Sequence, residues 1–137
     1  MYDYMAQITK IIDGDTVDAI IDLGFDVKLK RRVRLAGIDT PELNSKNPQE
    51  RQAAKIARDY LKSLLKSKEI YLKSEKVKWD KYNRYVAYIY VIPNEYEVTV
   101  SKIMFDKGLA KPYYGGKKEE WTDTELQTIL SLPKSTE

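Results

Sequence analysis

The chain of 137 residues contains neither cysteine nor histidine. Without cysteine it forms no disulfide, presents no thiolate nucleophile and builds no zinc–thiolate site. Without histidine it lacks the commonest general base and the commonest metal ligand. Catalysis, if there is any, runs on Asp, Glu, Lys, Arg, Tyr, Ser or Thr. A metal site built mainly from side-chain carboxylates then favours a hard cation such as Ca²⁺ or Mg²⁺. Long apolar runs are also missing: none approaches the ~20 residues of a membrane span, so no membrane partner is expected. The first residues, Met1-Tyr2-Asp3-Tyr4, lack the charged and apolar regions of a signal peptide. A cytoplasmic location is the expectation; secretion would require a leader ahead of Met1.

What is present fits one domain over 1–137, monomeric, with a frayed tail from 131 to 137. A chain of this length buries roughly 68–70% of the surface its unfolded form exposes. The hydrophobic share of 42% is that of an ordinary globular protein. Lys and Arg number 24 against 21 Asp and Glu, a net charge of +3. Such a balance permits nucleic-acid binding without demanding it.

Hydrophobic periodicity orders the chain. Residues 2–12 alternate as a half-buried strand, Asp13-Gly14 marks a turn, and Thr16 to Ile21 alternates again. Leu23-Gly24-Phe25 reads as the next reversal. A third strand follows with Phe25, Val27, Leu29, Val33 and Leu35 on one parity and Lys28, Lys30, Arg32 and Arg34 on the other. Arg31 falls on the apolar parity and predicts a bulge or an exposed end. After the polar loop 43–47, Pro48 suits the first turn of a helix, and Gln49 to Lys66 carries helical spacing, with Ala53, Ala57, Tyr60, Leu61 and Leu64 on one face. Glu69 to Lys73 and Arg84 to Val91 read as two further strands. Val98 to Lys107 reads as a short helix stopped by Gly108, and Glu119 to Leu130 as a last one. The order predicts a small α+β fold whose antiparallel sheet rolls into a five-stranded barrel.

The residues with chemical potential cluster at the strand ends. Taken singly, Asp15 in Asp13-Gly14-Asp15-Thr16 and Asp39 before Thr40-Pro41 are turn formers, Glu42 is a solvated acid, and Arg34 and Arg84 are surface cations. One rim of a small barrel can gather them. Carboxylates brought that close repel, and a divalent cation between them is the natural remedy. Two arginines beside the cluster would neutralise it or clamp an anion bidentately. A metal, a carboxylate base and an arginine clamp are the parts phosphoryl transfer needs.

These stretches occur in a telling order. Asp-Gly-Asp-Thr, Arg-Leu-x-x-Ile-Asp-Thr-Pro-Glu, Asp-Lys-Tyr-x-Arg-x-x-Ala-Tyr-Ile-Tyr and Gly-Leu-Ala-Lys together resemble the staphylococcal nuclease (thermonuclease) family from about Ile8 to Tyr114. The resemblance implies an OB-fold barrel with three helices. It also implies Ca²⁺-dependent hydrolysis of DNA and RNA at the bond to the 5′-oxygen, leaving a 3′-phosphate. By the same resemblance Asp15, Asp39 and the Thr40 carbonyl hold the Ca²⁺. Glu42 activates or orients water, and Arg34 and Arg84 grip the scissile phosphate. Lys81 and Tyr82 touch the neighbouring phosphate, Tyr114 lies beside the nucleotide, and Leu35 and Leu109 are structural.

There are departures from the family pattern. The loop after Glu42 is shorter, and a second nucleotide-side aromatic falls on Gly116, where Tyr113 is the candidate substitute. Asn83 stands for a glycine, and Trp121 has no counterpart and reads as a packing residue. A barrel that binds single-stranded nucleic acid without cutting it is the alternative, and the retained acids and arginines weigh against it. A two-carboxylate glycosidase would need an acid with a raised pKa, which paired arginines oppose.

Overall fold

The computed structural model describes residues 2–66, 68–74, 85–92 and 98–133. Alternating apolar side chains make the first three strands, β1 (Tyr2–Asp13), β2 (Thr16–Asp22) and β3 (Lys28–Leu35), which pair as an antiparallel meander. A short strand β4 (Gly37–Asp39) and helix α1 (Pro48–Leu65) follow. Next come β5 (Glu69–Ser74), β6 (Tyr85–Ile92), helix α2 (Val100–Asp106), β7 (Lys111–Tyr113) and helix α3 (Asp123–Leu130). β1, β2, β3, β6 and β5 close a barrel in that order. This is the expected α+β OB-fold with three helices.

Five strands cannot alternate direction all the way round a closed ring, so one seam must be parallel. It is β3–β6, where Val33 pairs with Tyr85, Arg34 with Val86 and Leu35 with Ala87. The barrel interior is filled by Val17, Val33, Leu35, Ile70 and Ile89, all fully buried. α1 lays Ala53, Ala57 and Leu61 against this core, and α3 adds Leu126 and Ile129. Among the described residues no helix is long and apolar enough to cross a membrane.

Local chemistry sets the helix starts. Asn47 accepts the Gln49 N–H and Pro48 occupies the first turn of α1, where its missing donor costs nothing. α3 starts at Asp123 rather than Glu119, because Thr122 and Glu125 form a reciprocal capping box there. Of the segment read as a tail, Leu132 packs against the core.

One expectation for β3 fails, and the other, a bulge or an exposed end at Arg31, loses its first alternative. The strand begins at Lys28, and Phe25 lies in the preceding turn, wholly exposed, with a left-handed backbone at φ 53°. No bulge marks Arg31, because the β2–β3 register runs unbroken. Instead its guanidinium lies 5.6 Å from the centre of the Tyr85 ring. The register shifts fall in β1, between Ile8 and Lys10 and between Ile11 and Asp13.

Gly14 is where the β1–β2 turn meets α1. A Cβ there would lie 2.8 Å from the Ala57 Cβ and 2.9 Å from the Thr40 Oγ1. Only the absence of a side chain lets the turn approach so closely. We expect Gly14→Ala to destabilise the fold by about 1–3 kcal/mol through overpacking, read as a lower denaturation midpoint at unchanged slope. An unchanged midpoint would mean that the turn moves freely away from α1.

Candidate active site

The site is assembled where three backbone segments touch. The Asp13 carboxylate accepts the Asp15 N–H at 3.0 Å, closing the turn between β1 and β2. The Leu35 N–H donates to the Asp15 carbonyl at 2.8 Å, which brings the end of β3 alongside. Gly37, at φ 85°, then turns the chain into β4, which pairs with β7 through Gly37–Tyr113, Ile38–Pro112 and Asp39–Lys111. This two-stranded sheet carries Asp39 back over Arg34. Ser101 of α2 donates to the Ala36 carbonyl at 2.7 Å and fixes the same corner.

Asp15 is almost fully enclosed. Its Oδ1 accepts from the Thr16 hydroxyl at 2.9 Å, and its Oδ2 accepts from the Thr40 N–H at 3.1 Å and from Arg34 Nη2 at 3.4 Å. Arg34 Nη2 lies 3.7 Å from Asp39 Oδ1, while Nη1 donates to the Leu35 carbonyl at 3.0 Å. The Tyr113 ring backs the guanidinium at 5.1 Å. The side chains of Arg34, Asp15 and Asp39 are only 5–7% exposed, so their charges act with little solvent screening. Lys118 continues the chain of charges, with Nζ 3.5 Å from Asp39 and 3.6 Å from Glu42. Glu42 itself is half exposed, and its N–H is anchored at 2.9 Å to Glu50 in the first turn of α1.

The acids therefore alternate with cations, in the order Asp15, Arg34, Asp39, Lys118, Glu42. Among the described residues no three carboxylates close on one point. The expectation that Asp15, Asp39 and Glu42 crowd around a common centre is corrected to that extent: each carboxylate faces a cation, as Coulomb attraction favours. Burial opposes the charged form of Asp15. The Arg34 guanidinium and the bonds from Asp13, Thr40 and Thr16 outweigh it and hold its carboxyl below the usual range. Burial pushes Asp13 up to about 7, with repulsion from Asp15 adding to it. Asp39 is raised as well, by burial and then by Asp15, against the pull of Lys118 and Arg34.

This donor set suits a hard divalent cation. All its ligating atoms are oxygens, and among the described residues the buried Oδ1 of Asp39 accepts no hydrogen bond, although Lys118 Nζ and Arg34 Nη2 lie 3.5 and 3.7 Å away. Asp15 and Asp39, both on one guanidinium, are the carboxylates that would hold such an ion, with Thr40 next to them. The buried Thr40 hydroxyl, also without a hydrogen bond among the described residues, faces Gly14.

Of the residues singled out from the sequence, Asp15, Arg34, Asp39, Thr40 and Glu42 are brought together. Tyr114 stands beside them, 84% exposed, its ring edge close to Gly37. Tyr113, the candidate substitute for an aromatic at Gly116, is instead engaged by Arg34 and by Lys118 at 5.7 Å, and its hydroxyl donates to the Gly116 carbonyl. Arg84, Lys81 and Tyr82 lie outside the described residues. Leu35 and Leu109 are buried in the core, and Trp121 packs on it with the Lys111 ammonium 4.5 Å from its ring centre. Lys118 and Asp13 were missed. Lys118 sits in an irregular stretch after two glycines, where nothing local hints at its partners.

A family profile described as "Staphylococcal nuclease homologue" matches residues 32–134, which takes in Arg34, Asp39 and Glu42 but not Asp15. The chain is 34% identical over 105 residues to a protein named "Thermonuclease" from Staphylococcus intermedius, covering 76% of this chain and 56% of that one. It is 32% identical over 105 residues to a "Thermonuclease" from Staphylococcus hyicus, covering 77% and 54%. A "Micrococcal nuclease" from Shigella flexneri is 30% identical over 131 residues, covering 90% and 66%. The chain thus spans about half the length of the two staphylococcal relatives.

Proposed function

The chain belongs to the staphylococcal nuclease family, and on that footing we propose that it is a Ca²⁺-dependent phosphodiesterase that hydrolyses DNA and RNA with little sequence preference. The observation that carries this reading is the buried Arg34 held between Asp15 and Asp39, with Glu42 one lysine further out. A guanidinium in that setting is a preorganised anion clamp, and the acids around it are both its counter-charge and a ligand set.

In this reading Asp15, Asp39 and the Thr40 carbonyl hold Ca²⁺. When bound, the ion polarises a phosphoryl oxygen and neutralises charge on the phosphate. Arg34, the shared counter-ion of the two carboxylates, would pair with the phosphate, alongside Arg84. Glu42, half in solvent and fixed through its backbone to α1, orients a water and takes its proton as the oxygen attacks phosphorus. The bond to the 5′-oxygen breaks, that oxygen is protonated, and a 3′-phosphate remains. Lys81 and Tyr82 serve the adjacent phosphate. Tyr114, open to solvent, offers a ring on which a base stacks, worth roughly 1–3 kcal/mol. No residue in this set reads base edges, hence the low sequence preference.

The test is purified protein with end-labelled single-stranded DNA and RNA, in Ca²⁺ and in excess chelator. Cleavage in Ca²⁺ that stops on chelation and returns on adding Ca²⁺ is the expected outcome. Cutting indifferent to chelator defeats the metal-dependent mechanism, and binding without cutting in Ca²⁺ makes the chain a binding module instead.

A further inference from the structure

A groove of about 530 Å³ runs between β1 and α1, and none of the chemistry above uses it. Its floor is apolar, made of Ile8, Ile11 and Leu65. Its rim is cationic: Lys10 from β1 faces Arg58, Lys62 and Lys66, which follow one another at four-residue steps along one edge of α1. Against these four cations the groove has one carboxylate, Asp59, which is exposed and turned 3.2 Å from the Arg58 Nε. Among the described residues no carboxylate lies within ion-pairing distance of Lys10, Lys62 or Lys66; Asp18, paired with Lys10 across the β1–β2 ladder, is engaged by Arg32 at 2.9 Å.

The C-terminal end of α1 favours Lys62 and Lys66 singly, but the cations of the rim also repel one another. Like charges four residues apart repel and weaken a helix. Here three stand in a row, about 6 Å apart along the axis, and a fourth faces them across the groove. A polyanion removes the repulsion, and regularly spaced cations suit the regularly spaced charges of a sugar–phosphate chain. The β1 ladder also breaks between Ile8 and Lys10, and bulges of this kind re-aim side chains. The position is telling too. Arg58 follows Ala57, which backs Gly14 next to Asp15, so the groove begins behind the turn that carries Asp15 and extends about 12 Å to Lys66.

We propose that this groove is a second phosphate-binding track, which holds the backbone of a nucleic-acid strand beyond the bond engaged at Arg34 and Glu42. The inference rests on the phosphodiesterase reading. The apolar floor accommodates sugar faces while the rim pairs with successive phosphates, so affinity grows with strand length.

The experiment compares the wild-type protein with the triple variant Lys10→Gln/Lys62→Gln/Lys66→Gln, using fluorescence anisotropy of labelled dT20 in chelator across a salt series. Affinity of the variant for dT20 should drop about tenfold, and its dependence of log Kd on log salt should flatten by about 2, at ~0.7 per lost phosphate contact. A dinucleotide, too short to extend along the groove, should bind both proteins alike. The matching triple Lys→Arg variant should keep wild-type affinity, which separates loss of charge from loss of fold. If the wild-type protein binds dT20 in chelator and cuts it in Ca²⁺ but the Gln variant keeps its affinity and slope, the track is wrong while the phosphodiesterase reading stands. A wild-type protein that neither binds dT20 in chelator nor cuts it in Ca²⁺ removes both. If the Gln variant loses binding only to phosphatidylserine vesicles, the groove faces a membrane and the proposal fails.

Discussion

In the Arg34→Lys protein, turnover on single-stranded DNA should fall by about 10³–10⁵, the range over which arginines that stabilise a transferring phosphoryl group act. The loss follows from geometry more than from charge. Arg34 reaches Asp15, Asp39 and the Leu35 carbonyl at the same time because its guanidinium is a planar fork, with the Tyr113 ring behind it. A lysine supplies one ammonium and cannot reproduce that fork toward carboxylate or phosphate. Arg34→Ala should behave differently again. It strands two buried carboxylates without their shared cation, a change that costs about 3–5 kcal/mol when one partner of a buried pair is deleted. Ca²⁺ should therefore raise the thermal midpoint of Arg34→Ala more than that of the wild-type protein, since the ion replaces the missing positive charge. Folded Arg34→Lys protein with wild-type turnover, or an Arg34→Ala protein whose midpoint ignores Ca²⁺, would contradict the assignment.

Glu42→Gln should lower turnover by about 10²–10⁴ while leaving the affinity for a DNA strand in chelator nearly as it was. The substitution keeps the shape and removes only the ability to take a proton. Stability should change little. The Glu42 side chain is half exposed, among the described residues its ion-pair partner is the partly exposed Lys118, and its attachment to α1 runs through its backbone N–H, which glutamine retains. Measuring single-turnover cleavage beside equilibrium binding separates the two effects. Equal losses of rate and affinity would assign Glu42 to substrate binding, and the water would need another base.

Much of this arrangement could be read from the chain. β1, β2 and α1 announce themselves through periodicity, and Asp13-Gly14 marks its turn because an Asp carboxylate caps the backbone N–H two residues on. The charged residues were found through their clustering at strand ends. What stayed hidden depends on contacts between distant segments. β4 and β7 are three residues each, too short to show a period, and they exist because Gly37–Asp39 and Lys111–Tyr113 meet in the fold. Arg34 alternates with apolar neighbours and so reads as solvated. It is buried because that small sheet and Tyr113 cover it, a fact no local pattern contains. Phe25 and Val27 fit the alternation of β3 yet stay in the turn, since the reversal at Gly24 consumes more chain than the pattern suggests. Lys118 gains its place beside Asp39 and Glu42 from an irregular stretch with no periodicity to read.

The parallel seam between β3 and β6 ties the assembly of the barrel to the assembly of its chemistry. The two strands it joins are separated in the chain by α1 and β5, so zipping them together bears a heavier loop-closure entropy than forming either hairpin. Arg34 is the middle residue of that seam. A chain in which this ladder is still open lacks one of the pairings that fix the backbone carrying the guanidinium. On the proposed reading, activity then arrives only with the finished cylinder.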